Sequence, residues 1–149
     1  MKNKYNKDYY ENGVAKGISG YDNYRWIPEL TYPMAYSICK NLKIKKKDKV
    51  LEFGCAHGFL VKALNDFKID AYGVDVSSYA ISKVDPSIKN KINLLKKNNI
   101  KNSLIKMNIK FNFDHIISKD VFEHIQPSEL KKILKEMSKI TKNLFVVVP

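Results

Sequence analysis

Hydrophobic and polar positions divide this chain into two regimes. From about Lys49 onward, short apolar runs alternate with stretches whose apolar residues recur every three or four positions. Lys49-Val50-Leu51-Glu52-Phe53 is a β-prone run that ends in glycines, and Phe59, Leu60, Ala63 and Leu64 follow at helical spacing. Ile69 to Val76 reads as a second strand, after which Ser77-Ser78 can cap a helix beginning near Tyr79. Ile92 to Leu95 is a weaker third strand and Phe113 to Ile117 a fourth. Leu130, Ile133, Leu134, Met137 and Ile140 share one helical face, with Pro127 suited to that helix's first turn. Leu144 to Val148 is continuously apolar, as buried parallel strands are. Upstream, Met34, Ala35, Ile38, Cys39 and Leu42 mark a helix able to pack on the sheet. The alternation predicts an α/β fold: an open, mostly parallel sheet of five core strands, helices on both faces and right-handed crossovers.

Composition narrows the class. A length of 149 residues, 44% apolar and 28% charged, suits one globular domain. No apolar run approaches the ~20 residues of a membrane span, and no apolar stretch follows the first residues as in a secretory signal. Cys39 and Cys55 form neither a metal-ligand spacing nor a disulfide framework, so a reducing, cytoplasmic setting is expected. The net charge of +12 raises the question of nucleic acid. Every basic residue but Arg25 is a lysine, however, and only Lys43 to Lys49 is a dense run. Base recognition favours arginine, so a solvated lysine surface is the preferred reading over an anionic partner.

The stretch richest in chemistry is Val50-Leu51-Glu52-Phe53-Gly54-Cys55-Ala56-His57-Gly58, which follows a strand and opens a helix. Glycines there permit a sharp turn and close approach of a ligand, and the helix start offers free N–H groups. A nicotinamide or flavin site would place a third glycine where Phe59 stands. Asp75 ends the second strand about 20 residues on, where an acid can accept ribose hydroxyls. Phe113-Asp114-His115-Ile116-Ile117-Ser118 and Val121-Phe122-Glu123-His124-Ile125 complete the set.

In order and spacing, these segments resemble the class I S-adenosylmethionine (SAM)-dependent methyltransferases, whose first motif reads D/E-x-G-x-G-x-G. The resemblance covers roughly Lys49 to Pro149 and implies a Rossmann-like core at 49–149. The middle glycine is replaced by Ala56. Carried over, the resemblance implies that Gly54, Ala56 and Gly58 line the methionine end of SAM, with a side chain at either glycine entering the ligand's space. Glu52 would order the loop and reach the amino group through water. Asp75 would hold the ribose and Val76 would lie along the adenine. Asn99-Ile100 would meet the adenine amino group, and Ser118 and Asp120 would border the sulfonium. Asp120 and His124 are candidate general bases. Asp120, Glu123 and His124 share a face if a helical turn forms there, yet three such groups do not make an obvious metal site.

Residues 1–36 hold seven of the nine tyrosines, the lone tryptophan and the lone arginine. The resemblance implies that this segment acts as a lid, with Tyr10, Tyr21, Tyr24, Arg25 and Trp26 facing ligand or substrate; packing alone is the alternative. The expected activity is methyl transfer from SAM to an O or N atom of a small polar acceptor. The alternative is a catalytically reduced or partner-dependent module that binds SAM or S-adenosylhomocysteine. Family members usually continue past the fifth strand into a β-hairpin, and the sequence stops at Pro149. Leu144 to Val148 is therefore expected to be an edge strand, covered by a homodimer partner or by the N-terminal segment.

Overall fold

The computed structural model describes residues 4–96, 99–110 and 112–149; residues 1–3 of the expected lid lie outside the described residues. The strands are β1 (Lys49–Phe53), β2 (Asp70–Asp75), β3 (Ile92–Leu94), β4 (His115–Lys119) and β5 (Leu144–Val147). The helices are α1 (Lys7–Glu11), α2 (Pro28–Leu42), α3 (Phe59–Asp66), α4 (Ser78–Ser82), α5 (Ile100–Lys106) and α6 (Pro127–Met137). Short 3-10 turns occupy Pro86–Lys91 and Phe122–His124.

Successive side chains of a strand point to opposite faces, and this builds two cores. Val50 is buried with Ala35 and Ile38 of α2 and Leu60 and Leu64 of α3, whereas its neighbour Leu51 is buried with Leu104 of α5 and Ile133 and Met137 of α6. Helices therefore cover both faces, as the apolar pattern predicts. The strand order is β3-β2-β1-β4-β5 and every neighbouring pair is parallel. The chain moves outward from β1 to β3, then returns to β4 on the other side of β1. Such a reversal opens a crevice at the carboxyl ends of β1 and β4, where open α/β sheets bind ligands.

Two helices escape the periodicity reading because they are too short to show a period. Both α1 and α5 are begun by asparagines: the Asn6 side chain accepts from the Tyr9 amide and Asn99 accepts from Asn102. α2 begins at Pro28, ahead of the Met34 to Leu42 pattern that marks it in the sequence, because proline is preorganised for a first helical turn. Among the described residues, no helix is long and apolar enough to cross a membrane.

β5 pairs with β4 along one side, and Leu144 and Val148 are exposed. Among the described residues, the N-terminal segment is not its cover. That segment packs instead against Ala80 and Tyr79 of α4 and against Ala56 in the loop after β1, because its tyrosine rings find partners there.

Candidate functional site

The turn after β1 is held in a left-handed backbone. Gly54, Ala56 and Gly58 have φ of 81°, 48° and 75°, a region that costs an L-residue roughly 1–2 kcal/mol. Glycine avoids that cost at two positions. Ala56 bears it, offset by the hydrogen bond its amide donates to Asp75 Oδ2 at 2.7 Å. Gly73 of β2 serves the same turn from below: a Cβ there would lie 2.7 Å from Cys55 Sγ, so its absence lets the loop settle on the sheet.

This turn, the ends of β1, β2 and β4, and the N-terminal segment enclose a cleft of about 650 Å³, a size typical of small-molecule sites. Two carboxyls stand at its floor. Asp75 is buried, and both its oxygens accept backbone amides, Oδ2 from Ala56 and Oδ1 from Ser77, each at 2.7 Å. Burial raises its pKa while those amides pull it back. Each oxygen keeps a second lone pair, so Asp75 can still accept hydroxyls. Glu52 is only 7% exposed, and its Oε2 has no hydrogen-bond partner among the described residues. Burial and the neighbouring Asp75 push its pKa up to about 8, against the pull of Lys119 and the Val61 amide. A buried polar atom left unpaired costs free energy, so this oxygen calls for a donor. Val76 and Leu95 add apolar surface beside Asp75.

The N-terminal segment is the opposite wall. An antiparallel bridge joins Asn12 to Asp22, and the Tyr24 amide donates to the Tyr10 carbonyl at 2.9 Å. Tyr10 is buried, stacked with Tyr21 and Tyr79 and tilted against Tyr24 and His57. Ser77 Oγ donates to the Tyr5 carbonyl at 2.6 Å, and the Tyr79 hydroxyl bonds the Glu11 carboxylate. Tyr10, Tyr21, Tyr24 and Arg25 line the cleft. Trp26 does not: its ring lies edge-on to Tyr32 and Phe59, so it braces the wall from behind. His57, which the motif contains but the sequence assigns no role, is 6% exposed between Tyr10 and Tyr24, its Nε2 without a hydrogen-bond partner among the described residues. Burial, helped by Lys83, pushes its pKa down to about 4, so it stays neutral.

At the far end stand Lys119, Asp120, Val121 and His124. Lys119 forms an ion pair with Asp120. The 3-10 turn starts at Phe122, so Asp120, itself left-handed at φ 55°, lies outside it. Asp120, Glu123 and His124 therefore do not share one helical face. His124 is half-exposed, its Nε2 3.7 Å from the Glu123 carboxylate. Among the described residues, no three His, Cys, Asp or Glu side chains gather as a metal-binding group.

Four positions expected at the cofactor lie off the cleft. A Cβ on Gly58 would fall on Ile92 and come within 3.1 Å of Ile88, so this glycine serves core packing rather than ligand approach. Gly54 does line the cleft, but a Cβ there would strike the Val121 side chain, again the chain itself. Asn99 spends its side chain as the cap of α5, and Ile100 is buried in the core beside α6. Leu95, directly after β3, lines the cleft. Ser118 is fully buried, donating from Oγ to the Phe53 carbonyl at 3.2 Å, and so clamps β4 to β1.

A family profile described as a methyltransferase domain matches residues 25–149. The fold is similar to that of a SAM-dependent methyltransferase from Clostridium acetobutylicum, with TM-score 0.59 and 18% identity over 88% of this chain and 50% of that one. It is similar also to the PH0226 protein of Pyrococcus horikoshii, with TM-score 0.57 and 24% identity over 80% of this chain and 60% of that one. A SAM-dependent methyltransferase from Archaeoglobus fulgidus gives TM-score 0.57 and 22% identity over 82% and 52%. The chain thus spans between 50% and 60% of the length of these three structures. Among curated protein sequences there is no match. Profile, strand order and glycine turn agree: the chain belongs to the methyltransferase domain family of the class I, SAM-dependent fold.

Proposed function

We propose that this chain transfers the methyl group of SAM to an oxygen or nitrogen atom of a small polar acceptor. The observation that carries the reading is the unpartnered Oε2 of buried Glu52, at the floor of a cleft that also holds Asp75. That pair fits a ligand bearing an ammonium group and ribose hydroxyls. Glu52 would face the ammonium, Asp75 the ribose, Val76 and Leu95 the adenine, and the Gly54 and Ala56 backbone the methionine chain. When bound, SAM supplies a methyl carbon already activated by its sulfonium.

The chain's own part is to position and to exclude water. Burial raises the pKa of Tyr10 and Tyr24, which keeps their hydroxyls protonated along the wall. Arg25, at the rim, offers a planar donor fork to a carboxylate. For a hydroxyl acceptor a base is needed, and His124 is the better placed, since Asp120 is already engaged by Lys119.

Calorimetry with SAM and S-adenosylhomocysteine tests the site, followed by labelled SAM with a panel of small hydroxyl and amine acceptors. Asp75→Ala should weaken binding by ~1.5–3 kcal/mol, because hydrogen bonds to a charged acceptor are lost. Absence of binding, or tight NAD binding in its place, would overturn the reading. Cofactor binding without transfer to any acceptor would favour a catalytically reduced or partner-dependent binding module.

A further inference from the structure

We infer that Glu52 couples cofactor binding to proton release: its carboxyl is protonated in the free cleft and ionises when the ammonium group of the cofactor's amino-acid end arrives. This rests on the SAM reading above.

The two floor carboxyls are not equivalent. Asp75 has both oxygens on backbone amides at 2.7 Å, which sustain a negative charge. Glu52 leaves Oε2 bare and sits in the same buried floor. When two buried carboxyls interact, the better-bonded one ionises first and its charge opposes ionisation of the second. The groups facing Glu52 do little to reverse this. From β4 comes Lys119, which is shared with Asp120. From α3 comes the Val61 amide, and from β2 comes Asp75 itself. The lid contributes Tyr24 and the loop Cys55, both kept neutral because burial raises their pKa values. Burial, then Asp75, carry the Glu52 pKa up to about 8, so at neutral pH the free site holds the proton.

The exchange balances simply. The Glu52 O–H bond breaks, its proton leaves to solvent, and the carboxylate meets the ammonium; no electrons move. By linkage, binding that releases a proton strengthens as pH rises. Affinity for S-adenosylhomocysteine should therefore increase up to about tenfold per pH unit between pH 6 and 8 and then level off.

The test is calorimetry on the intact protein with S-adenosylhomocysteine at pH 7, in phosphate and in Tris, whose ionisation heats differ. The heats should differ by nearly one proton's worth of buffer ionisation. 5′-Methylthioadenosine keeps adenine, ribose and thioether but lacks the ammonium; its binding should be buffer-independent. Glu52→Gln should bind S-adenosylhomocysteine with an affinity flat from pH 6 to 8. If that variant does not fold, the two ligands on the unaltered protein still decide. Measurable S-adenosylhomocysteine binding with no proton release would overturn this inference and leave the SAM reading standing. Equal proton release with methylthioadenosine would move the proton to Asp75 and overturn it too. Failure of both ligands to bind at any pH would overturn the SAM reading itself.

Discussion

Around β1 the buried side chains are mostly aliphatic, with Phe53 and Phe113 among them, and are drawn from strands and helices across the whole sheet, whereas the wall over the cleft is made of tyrosine rings. Those rings meet at centroid distances from 4.7 Å (Tyr21–Tyr24) to 6.0 Å (Tyr10–Tyr79). The wall is tied to the core by side-chain bonds such as Ser77 to the Tyr5 carbonyl and Tyr79 to Glu11. Aliphatic packing is unforgiving, because a misplaced methyl group finds no space. Ring pairs contribute only ~0.5–1.5 kcal/mol each beyond burial, and their hydroxyls remain content in water. A wall of that kind can open as a unit while the sheet stays folded. Damage to the core should therefore be read in stability, and damage to the wall in ligand affinity.

The largest effect should come from Gly58→Val. The new side chain must adopt a φ of 75° and intrude on Ile92 and Ile88, at a cost of about 3 kcal/mol or more. Denaturant unfolding should show a destabilised or unfolded chain; a stable domain that merely fails to bind SAM would contradict the packing role. Tyr10→Ala should do the reverse. It removes the ring at the centre of the wall, so S-adenosylhomocysteine affinity should drop more than about tenfold, roughly the 1.4 kcal/mol of one decade. Its Tm should fall less than that of Gly58→Val. Equal losses of stability would show that wall and core unfold as one.

A smaller effect separates the two regions by pH. Glu52, in the floor, has a folded pKa raised to about 8 from 4.5, so its contribution to stability is complete below pH 4.5 and is lost as pH rises to about 8. His57, in the wall, is depressed to about 4 from 6.5, so its contribution is present above pH 6.5 and lost as pH falls through 4. The two slopes oppose between pH 4.5 and 6.5. Above that, a net fall in Tm to pH 8 should remain, and Glu52→Gln should abolish it. A Tm flat from pH 6.5 to 8 in the unaltered protein would contradict a protonated floor. The smallest change in stability, within ~0.5 kcal/mol, belongs to Val147→Lys on the edge strand. If a homodimer covers β5, sedimentation should show this variant as a monomer; an unaltered protein that is monomeric at all concentrations would refute that cover.

Much of the cleft floor was legible because its turn geometry is local. Glu52, Gly54, Ala56, Asp75 and Val76 lie at strand ends, and the strand-turn-helix pattern places them at one edge of the sheet. Of the expected site residues that lie off the cleft, two answer to neighbours brought from afar. Gly58 answers to Ile88 and Ile92, thirty and more positions later. Ser118 is committed to Phe53 across the sheet. Asn99 could be an adenine contact or a helix cap, and only the short helix after it settles the role. His57 carried no signal at all, since a histidine in a loop reads the same whether exposed or enclosed by rings.

By itself, the sequence determined the alternation of strands and helices, the two-faced core and the glycine turn, because side-chain period and backbone φ are properties of neighbouring residues. Only the tertiary structure decided which carboxyl is satisfied and which is bare, that the tyrosines close over the cleft rather than over β5, and that Asp120 is already paired. Burial, desolvation and the sharing of a single lysine between carboxyls depend on what the rest of the chain brings near, and no local pattern encodes that.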